Sequence, residues 1–446
     1  LCRLAQRTSH QEIVMASIGI IQTTVSTLTA TSSTSFVEVV ESDALESGKT
    51  YYVMCQALCK GSNASQVFEW RLVDRTNGDS VISNSTLIRE QNTLLNLQSY
   101  SYVGKFTTGS DGGGLAFEQK VPNASFTATT KFVSMLIFDI SNLSVNDWFY
   151  ANDQVSTTLT DSFVDFASFR STGNLTANDT WLVFGWSSFD MNNTSQNTEM
   201  QLLHNESGID ITTLGSFEGE DLTEALGFSI ARAFVVAGTG VATWKIQARD
   251  DSLVALRNSH SESTVFGLRM NAFENFATNY TADSQTTSVD FVELATNNLT
   301  PDSSGDIVAI GYSGFDAGAI NKVCYSRIQV EGTTSPNTVP DTVTCATSND
   351  GSDIIPILYV TKYDGVADTE KTIDFDGKKT SSENYGFINS TLAQFSSKIM
   401  AVAPIVFSDV ASETYNSGDT ASESFNSGDT ASESFNSGDV ASEVNP

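Results

Sequence analysis

Residues able to carry proton-transfer or ligand chemistry are scarce in this chain. It holds three histidines, His10, His204 and His260, and five cysteines among 446 residues. A zinc-protease helix needs H-E-x-x-H, a serine-hydrolase elbow needs G-x-S-x-G, and a phosphate-binding loop needs G-x-x-x-x-G-K-[ST]; none of them occurs. His204 leads into Asn205-Glu-Ser-Gly and His260 sits in Asn-Ser-His-Ser-Glu, both loop-like settings, and neither reads as a catalytic base. With 53 acids a carboxylate pair of the glycosidase kind can be imagined anywhere, but geometry defines such a pair and sequence does not. No catalytic residue, cofactor or metal is expected. The Asp/Gly segments Asp302-Ser-Ser-Gly-Asp306, Asp364-Gly-Val-Ala-Asp368 and Asp374-Phe-Asp-Gly miss the calcium-loop frame and read as turns.

Cys55 and Cys59 lie four apart in a strand-like segment. That spacing puts them about 13 Å apart on one face, beyond disulfide reach, so both are expected as free, buried thiols. Cys324 and Cys345 are the pair expected to bridge across neighbouring strands if the compartment is oxidising. Cys-x3-Cys with a distant pair lacks the spacing and histidines of a zinc site. Trp148, Tyr150 and Trp186 are candidate glycan-contact aromatics, because a ring offers a sugar a flat apolar face. The competing reading places them in cores or domain junctions. Twelve N-x-[ST] sequons occur in a chain with 108 Ser and Thr, and composition explains most of them.

The elements that must position these groups repeat. Phe36-Val-Glu-Val returns as Phe163-Val-Asp-Phe and as Phe291-Val-Glu-Leu, at steps of 127 and 128 residues. Ser/Thr-rich runs precede each copy. Apolar runs follow at Tyr51-Tyr-Val-Met, Trp181-Leu-Val-Phe and Ile307-Val-Ala-Ile. Phe68-Glu-Trp-Arg-Leu matches Thr198-Glu-Met-Gln-Leu and Cys324-Tyr-Ser-Arg-Ile. Tyr102-Val-Gly-Lys-Phe matches Tyr359-Val-Thr-Lys-Tyr, with Phe234-Val-Val-Ala-Gly between. Gly267-Leu-Arg-Met aligns with Gly386-Phe-Ile-Asn, and Ser134-Met-Leu-Ile stands for them in the first copy. The period far exceeds that of solenoids, so each copy is large enough to own a core.

Within a copy, Phe68, Trp70 and Leu72 alternate with Glu69 and Arg71, the period of a half-buried strand. Helical periodicity is absent apart from one or two turns expected within Asp221 to Ile230. The sequence predicts an all-β chain of three tandem β-sandwich domains, of jelly-roll or immunoglobulin-like topology. They occupy residues 23–150, 151–280 and 281–405, after an N-terminal segment at 1–22. Residues 406–446 repeat an acidic decapeptide, SGDTASESFN in its commonest form, too poor in apolar residues to fold alone and expected to be disordered.

A formal net charge of -30 argues against nucleic-acid binding. No apolar run reaches the roughly 18 residues of a membrane span, so no membrane insertion is expected. No secretory signal is read. Met15-Ala-Ser-Ile-Gly looks like a natural start. His10-Gln-Glu-Ile-Val before it looks like a translated ribosome-binding site of a prokaryotic or phage gene.

An acidic, Ser/Thr-rich chain of tandem β-sandwiches with a repetitive tail resembles the fibre, appendage and capsid-decorating proteins of tailed phages. The resemblance spans the chain in style and carries no diagnostic motif, so it transfers no site residue. It implies a non-enzymatic virion protein, assembled in the host cytoplasm. It further implies other virion proteins as partners, homo-oligomers and contact with host surface glycans. The alternative is an extracellular or cell-surface adhesin binding carbohydrate through its β-domains.

Overall fold

A computed structural model describes residues 20–25, 29–64, 66–83, 85–90, 98–153, 159–190, 197–218, 225–250, 263–273, 275–281, 288, 290–300, 306–316, 323–330, 343–346, 354–364, 369–379, 386–387 and 397–403. Residues 1–19 with Met15, His260 and the decapeptide tail lie outside them; residues 20–22, read from sequence as the end of the N-terminal segment, belong to the first strand of the first copy. Among the described residues the only regular structure besides β-strand is two short 3-10 turns, at Arg75–Asn77 and Met270–Ala272. No helix there is long and apolar enough to cross a membrane.

The first copy contains β1 (Ile20–Val25), β2 (Thr29–Thr31), β3 (Val37–Glu41), β4 (Thr50–Gly61), β5 (Val67–Asp74), β6 (Ser80–Val81), β7 (Leu87–Glu90), β8 (Gln98–Thr107), β9 (Leu115–Lys120) and β10 (Ala128–Asp139). The second contains β11 (Trp148–Asp153), β12 (Val164–Asn174), β13 (Thr180–Asp190), β14 (Asn197–Glu206), β15 (Ile209–Glu218), β16 (Ala225–Val235), β17 (Val241–Asp250) and β18 (Ser263–Arg269). The third contains β19 (Asn275–Thr281), β20 (Val292–Leu299), β21 (Asp306–Asp316), β22 (Val323–Val330), β23 (Val343–Ala346), β24 (Ile354–Asp364), β25 (Lys371–Lys379), β26 (Gly386–Phe387) and β27 (Ser397–Ala403). The residue-150 and residue-280 borders read from sequence fall inside β11 and β19.

In all three copies the strands pair in the same order. One sheet runs β1-β10-β4-β8, then β11-β18-β13-β16, then β19-β27-β21-β24; the other runs β3-β9-β5-β7, then β12-β17-β14-β15, then β20-β25-β22-β23. Counting eight principal strands per copy, with β1 and β2 forming one broken strand along β10, the orders are 1-8-3-6 and 2-7-4-5. This is the jelly roll, and it removes the immunoglobulin-like alternative. Two sequence matches shift with it. Strands β4, β13 and β21 pair Tyr51 with Phe106, Trp181 with Phe234 and Ile307 with Tyr363. The second-copy equivalent of Tyr102–Phe106 is therefore Ile230–Phe234, four residues before Phe234-Val-Val-Ala-Gly. The eighth strand of the third copy is β27; Gly386 and Phe387 form only a short extra pairing with β21. The turn expected in Asp221–Ile230 is also overturned from Ala225 onward, where β16 pairs along the whole of β13.

The third strand of each copy explains the shared core. One face of β13 points into its own sandwich, where a side chain at Gly185 would strike Ile246, and a side chain at the equivalent Gly311 would strike Phe375. The other face should meet solvent in an isolated domain. Instead Tyr52 and Met54, Leu182, Phe184 and Trp186, and Val308, Ile310 and Tyr312 are all buried in one continuous cluster. The 1-8-3-6 sheets of the three copies thus meet back to back.

The copies also close on one another. Strand β7 of the first copy lies against β16 of the second, β15 of the second against β24 of the third, and β23 of the third against β8 of the first. The same two strand positions meet at every junction, which is a head-to-tail contact repeated until it closes. At the first junction it becomes a backbone pairing of Ile88 with Ala225. The hydroxyls of Ser101 and Ser229, one repeat step apart in sequence, hydrogen-bond to each other. One chain has the arrangement of a three-subunit ring.

Candidate functional site

The repeated Phe-Val-acid motif opens the second strand of each copy, at the free edge of the 2-7-4-5 sheet. Phe36 lies under the Lys120 ammonium at 4.6 Å, Phe163 under the Arg249 guanidinium at 4.7 Å, and Phe291 under Lys378 at 4.3 Å. Arg71 and Arg327 add a second cation in the first and third copies, at 3.9 and 4.1 Å. Each such contact contributes about 0.5–1 kcal/mol at an exposed site. The acids Glu38, Asp165 and Glu293 are exposed, and the edge strand bulges immediately after each. A bulge and a charge on an edge strand both block pairing with another sheet. The motif that reveals the triplication is thus an edge latch.

Below the latches the copies diverge. Register makes Arg71–Glu118, Gln201–Gln247 and Arg327–Asp376 equivalent cross-strand pairs. The first and third are ion pairs, at 2.7 and 2.9 Å. In the second copy two amides replace the ions and hydrogen-bond to each other. They lie in an open trough of about 400 Å³ with Leu203, Asn205, Asp210, Thr212, Thr243 and Lys245. Gln247 donates to Asp165, which also holds Lys245 at 2.9 Å. Sequence reading missed this site because the difference shows only when strand register aligns the copies.

The residues singled out from sequence lie elsewhere. Trp186 is fully buried, and its Nε1 donates to the Ser101 carbonyl of the first copy at 2.8 Å. Trp148 and Tyr150 pack beside Tyr52 and under Lys105 of the first copy. All three rings belong to the junction between the first two copies; burial takes Trp186 out of reach of a sugar, whereas Trp148 and Tyr150 are only half-buried. Cys55 and Cys59 are free and buried. Burial pushes both thiols up, Cys59 to about 12, and Trp70 Nε1 donates to Cys59 Sγ at 2.9 Å. Cys324 and Cys345 stand directly opposite each other on β22 and β23, the backbone placement a cross-strand bridge requires; their side chains lie outside the described residues. Asp374 and Asp376 are in strand β25, not a turn. They accept from Thr296 and Arg327. Asp364 and Asp306 close and open strands β24 and β21, and residues 302–305 and 365–368 lie outside the described ones. Among the described residues no group of three or more His, Cys, Asp or Glu side chains is placed to hold a metal.

His204 is buried between the rings of Phe234 and Trp244, not in a loop, and its Nδ1 has no hydrogen-bond partner. Desolvation, the largest cause, lowers its pKa; Arg232 lowers it further, while Glu206 and Asp210 act the other way. The folded state therefore keeps His204 neutral at a pH where the unfolded chain already binds the proton. Stability from this group is full above the unfolded value of about 6.5 and falls as pH drops below it. Melting at pH 7.5 and pH 5.5 is expected to show a smaller acid loss for His204→Leu than for the natural chain.

The strand order defines the class: three jelly rolls in one chain around one shared core. No protein-family model matches the sequence, and no curated protein matches it. Among solved structures, the chain is similar to a protein described in "The Triple Jelly Roll Fold and Turret Assembly in an Archaeal Virus", at 11% identity over 87% of this chain and 90% of that one, with a TM-score of 0.16. It is similar to the tandem CBM22 domains of Paenibacillus barcinonensis Xyn10C, at 9% identity over 56% of this chain and 92% of that one, TM-score 0.17. A third likeness is to the glycosylasparaginase PNGase F of Flavobacterium meningosepticum, at 11% identity over 57% and 96%, TM-score 0.27. Superpositions this loose assign no function, and the fold assignment rests on strand order alone.

Proposed function

We propose that the chain is a non-enzymatic structural component of a phage-like virion, as a capsid decoration, appendage or fibre part. The observation that carries the reading is the closed trio of jelly rolls around a single core. A covalently linked ring keeps its geometry without depending on protomer concentration, as suits a particle component. The unusual side chains fit it as well: the buried thiols and the desolvated histidine sit inside the sandwiches, and the Phe-cation latches hold their edges. Jelly rolls serve in viral capsids and in lectins, so the fold alone leaves both uses open, and the ring closure favours the first. The partners are other virion proteins. Further copies of the chain would meet through surfaces other than the strand positions consumed in the ring. Mass spectrometry of purified particles tests the reading.

A further inference from the structure

We propose that the trough of the second copy binds a neutral glycan. The first and third copies act as internal controls, because both hold an ion pair where the second holds Gln201 and Gln247. Both amides are more than nine-tenths buried, so they lie beneath the trough rather than on a solvated rim. Replacing a charge pair by amides gains nothing in ion pairing. It does supply groups that each donate and accept hydrogen bonds, which is what a sugar hydroxyl, itself both donor and acceptor, requires. Thr212, Thr243 and Asn205 add groups of the same kind, and Asp210 adds an acceptor.

Charge decides the ligand class. Asp165 and Asp210 stand at the trough, and the chain carries a formal charge of -30. Among the described residues the one cation lining it, Lys245, is bound to Asp165. An anionic ligand meets a repulsive field. An apolar one finds, among the described lining residues, only Leu203 to cover it. The volume of about 400 Å³ falls within the range of small-ligand clefts, about 300–1,000 Å³. An open, wet trough returns little of the cost of immobilising a ligand, so the expected Kd is about millimolar.

The test is ligand-observed NMR titration of the full chain with cellobiose, maltose, lactose, N,N′-diacetylchitobiose and 3′-sialyllactose. At least one neutral sugar is expected to bind, and the sialylated one more weakly than lactose. The double substitution Gln201→Arg with Gln247→Glu installs the ion pair that the other copies already carry, and is expected to weaken binding about tenfold or more. Asp210→Ala, at an exposed position, leaves folding alone and is expected to weaken it about threefold, the loss of one hydrogen bond. The proposal is overturned if no neutral sugar binds, if sialyllactose binds as well as lactose, or if Asp210→Ala and a folded double variant bind like the natural chain. It does not rest on the virion reading, and its failure would leave that reading standing.

Discussion

Trp186→Ala is expected to lower the free energy of unfolding by about 3–5 kcal/mol, the range for deleting a large buried aromatic. The indole is fully buried, but not inside its own sandwich. It projects from the outer face of β13, meets the Tyr102 ring edge-on at 5.1 Å and donates to the Ser101 carbonyl. Its loss opens a cavity between the first and second copies, and hydrogen exchange should rise in β8 and β16 together. If the three jelly rolls were beads on a string, Trp186 would be a surface residue and its removal would cost within about 0.5 kcal/mol. Trp186→Phe keeps most of the ring and loses one hydrogen bond, so it should cost about 1 kcal/mol.

Trp244→Ala is expected to cost as much, about 3–5 kcal/mol, for a different reason. Trp244 is the hub of the second sandwich: Phe149 stacks on it at 4.7 Å, Trp181 lies at 5.5 Å and His204 at 5.2 Å. The cavity would also loosen the junction, because the Phe149 carbonyl accepts from the Tyr52 hydroxyl of the first copy at 2.9 Å. Trp244 Nε1 has no hydrogen-bond partner, and a buried unpaired donor costs about 1–3 kcal/mol. Trp244→Phe removes that donor while giving up part of the ring, so the two changes offset and the net effect should stay within about 1 kcal/mol. Urea unfolding of both variants reads the contrast between Ala and Phe directly.

The triplication and the all-β class were legible because they reside in local pattern. The Phe-Val-acid motif marks each edge strand, and alternation at Phe68, Trp70 and Leu72 marks a strand with one solvated face. The ring was written in the sequence too, less openly. Strands buried on both faces read as continuous apolar runs, and Tyr51–Met54, Trp181–Phe184 and Ile307–Ile310 are such runs, whereas β5 alternates. What sequence could not supply was register. The Gly267 and Gly386 segments share a glycine and a neighbouring apolar residue, yet one belongs to an eighth strand and the other does not. Trp186 gave no sign of facing another copy, and His204, three residues before Ser207-Gly, resembled a loop residue although β14 continues through it to Glu206. The trough was hidden for the same reason: Gln201 and Gln247 look ordinary until register sets them against Arg71 and Glu118.

The most direct test of the functional account is mass spectrometry of purified, nuclease-treated particles from cultures that express the chain. The account predicts peptides from all three jelly rolls in a fixed ratio to the major coat protein across independent preparations. Particles free of these peptides, with the chain recovered instead from cell envelopes or the medium, would contradict it.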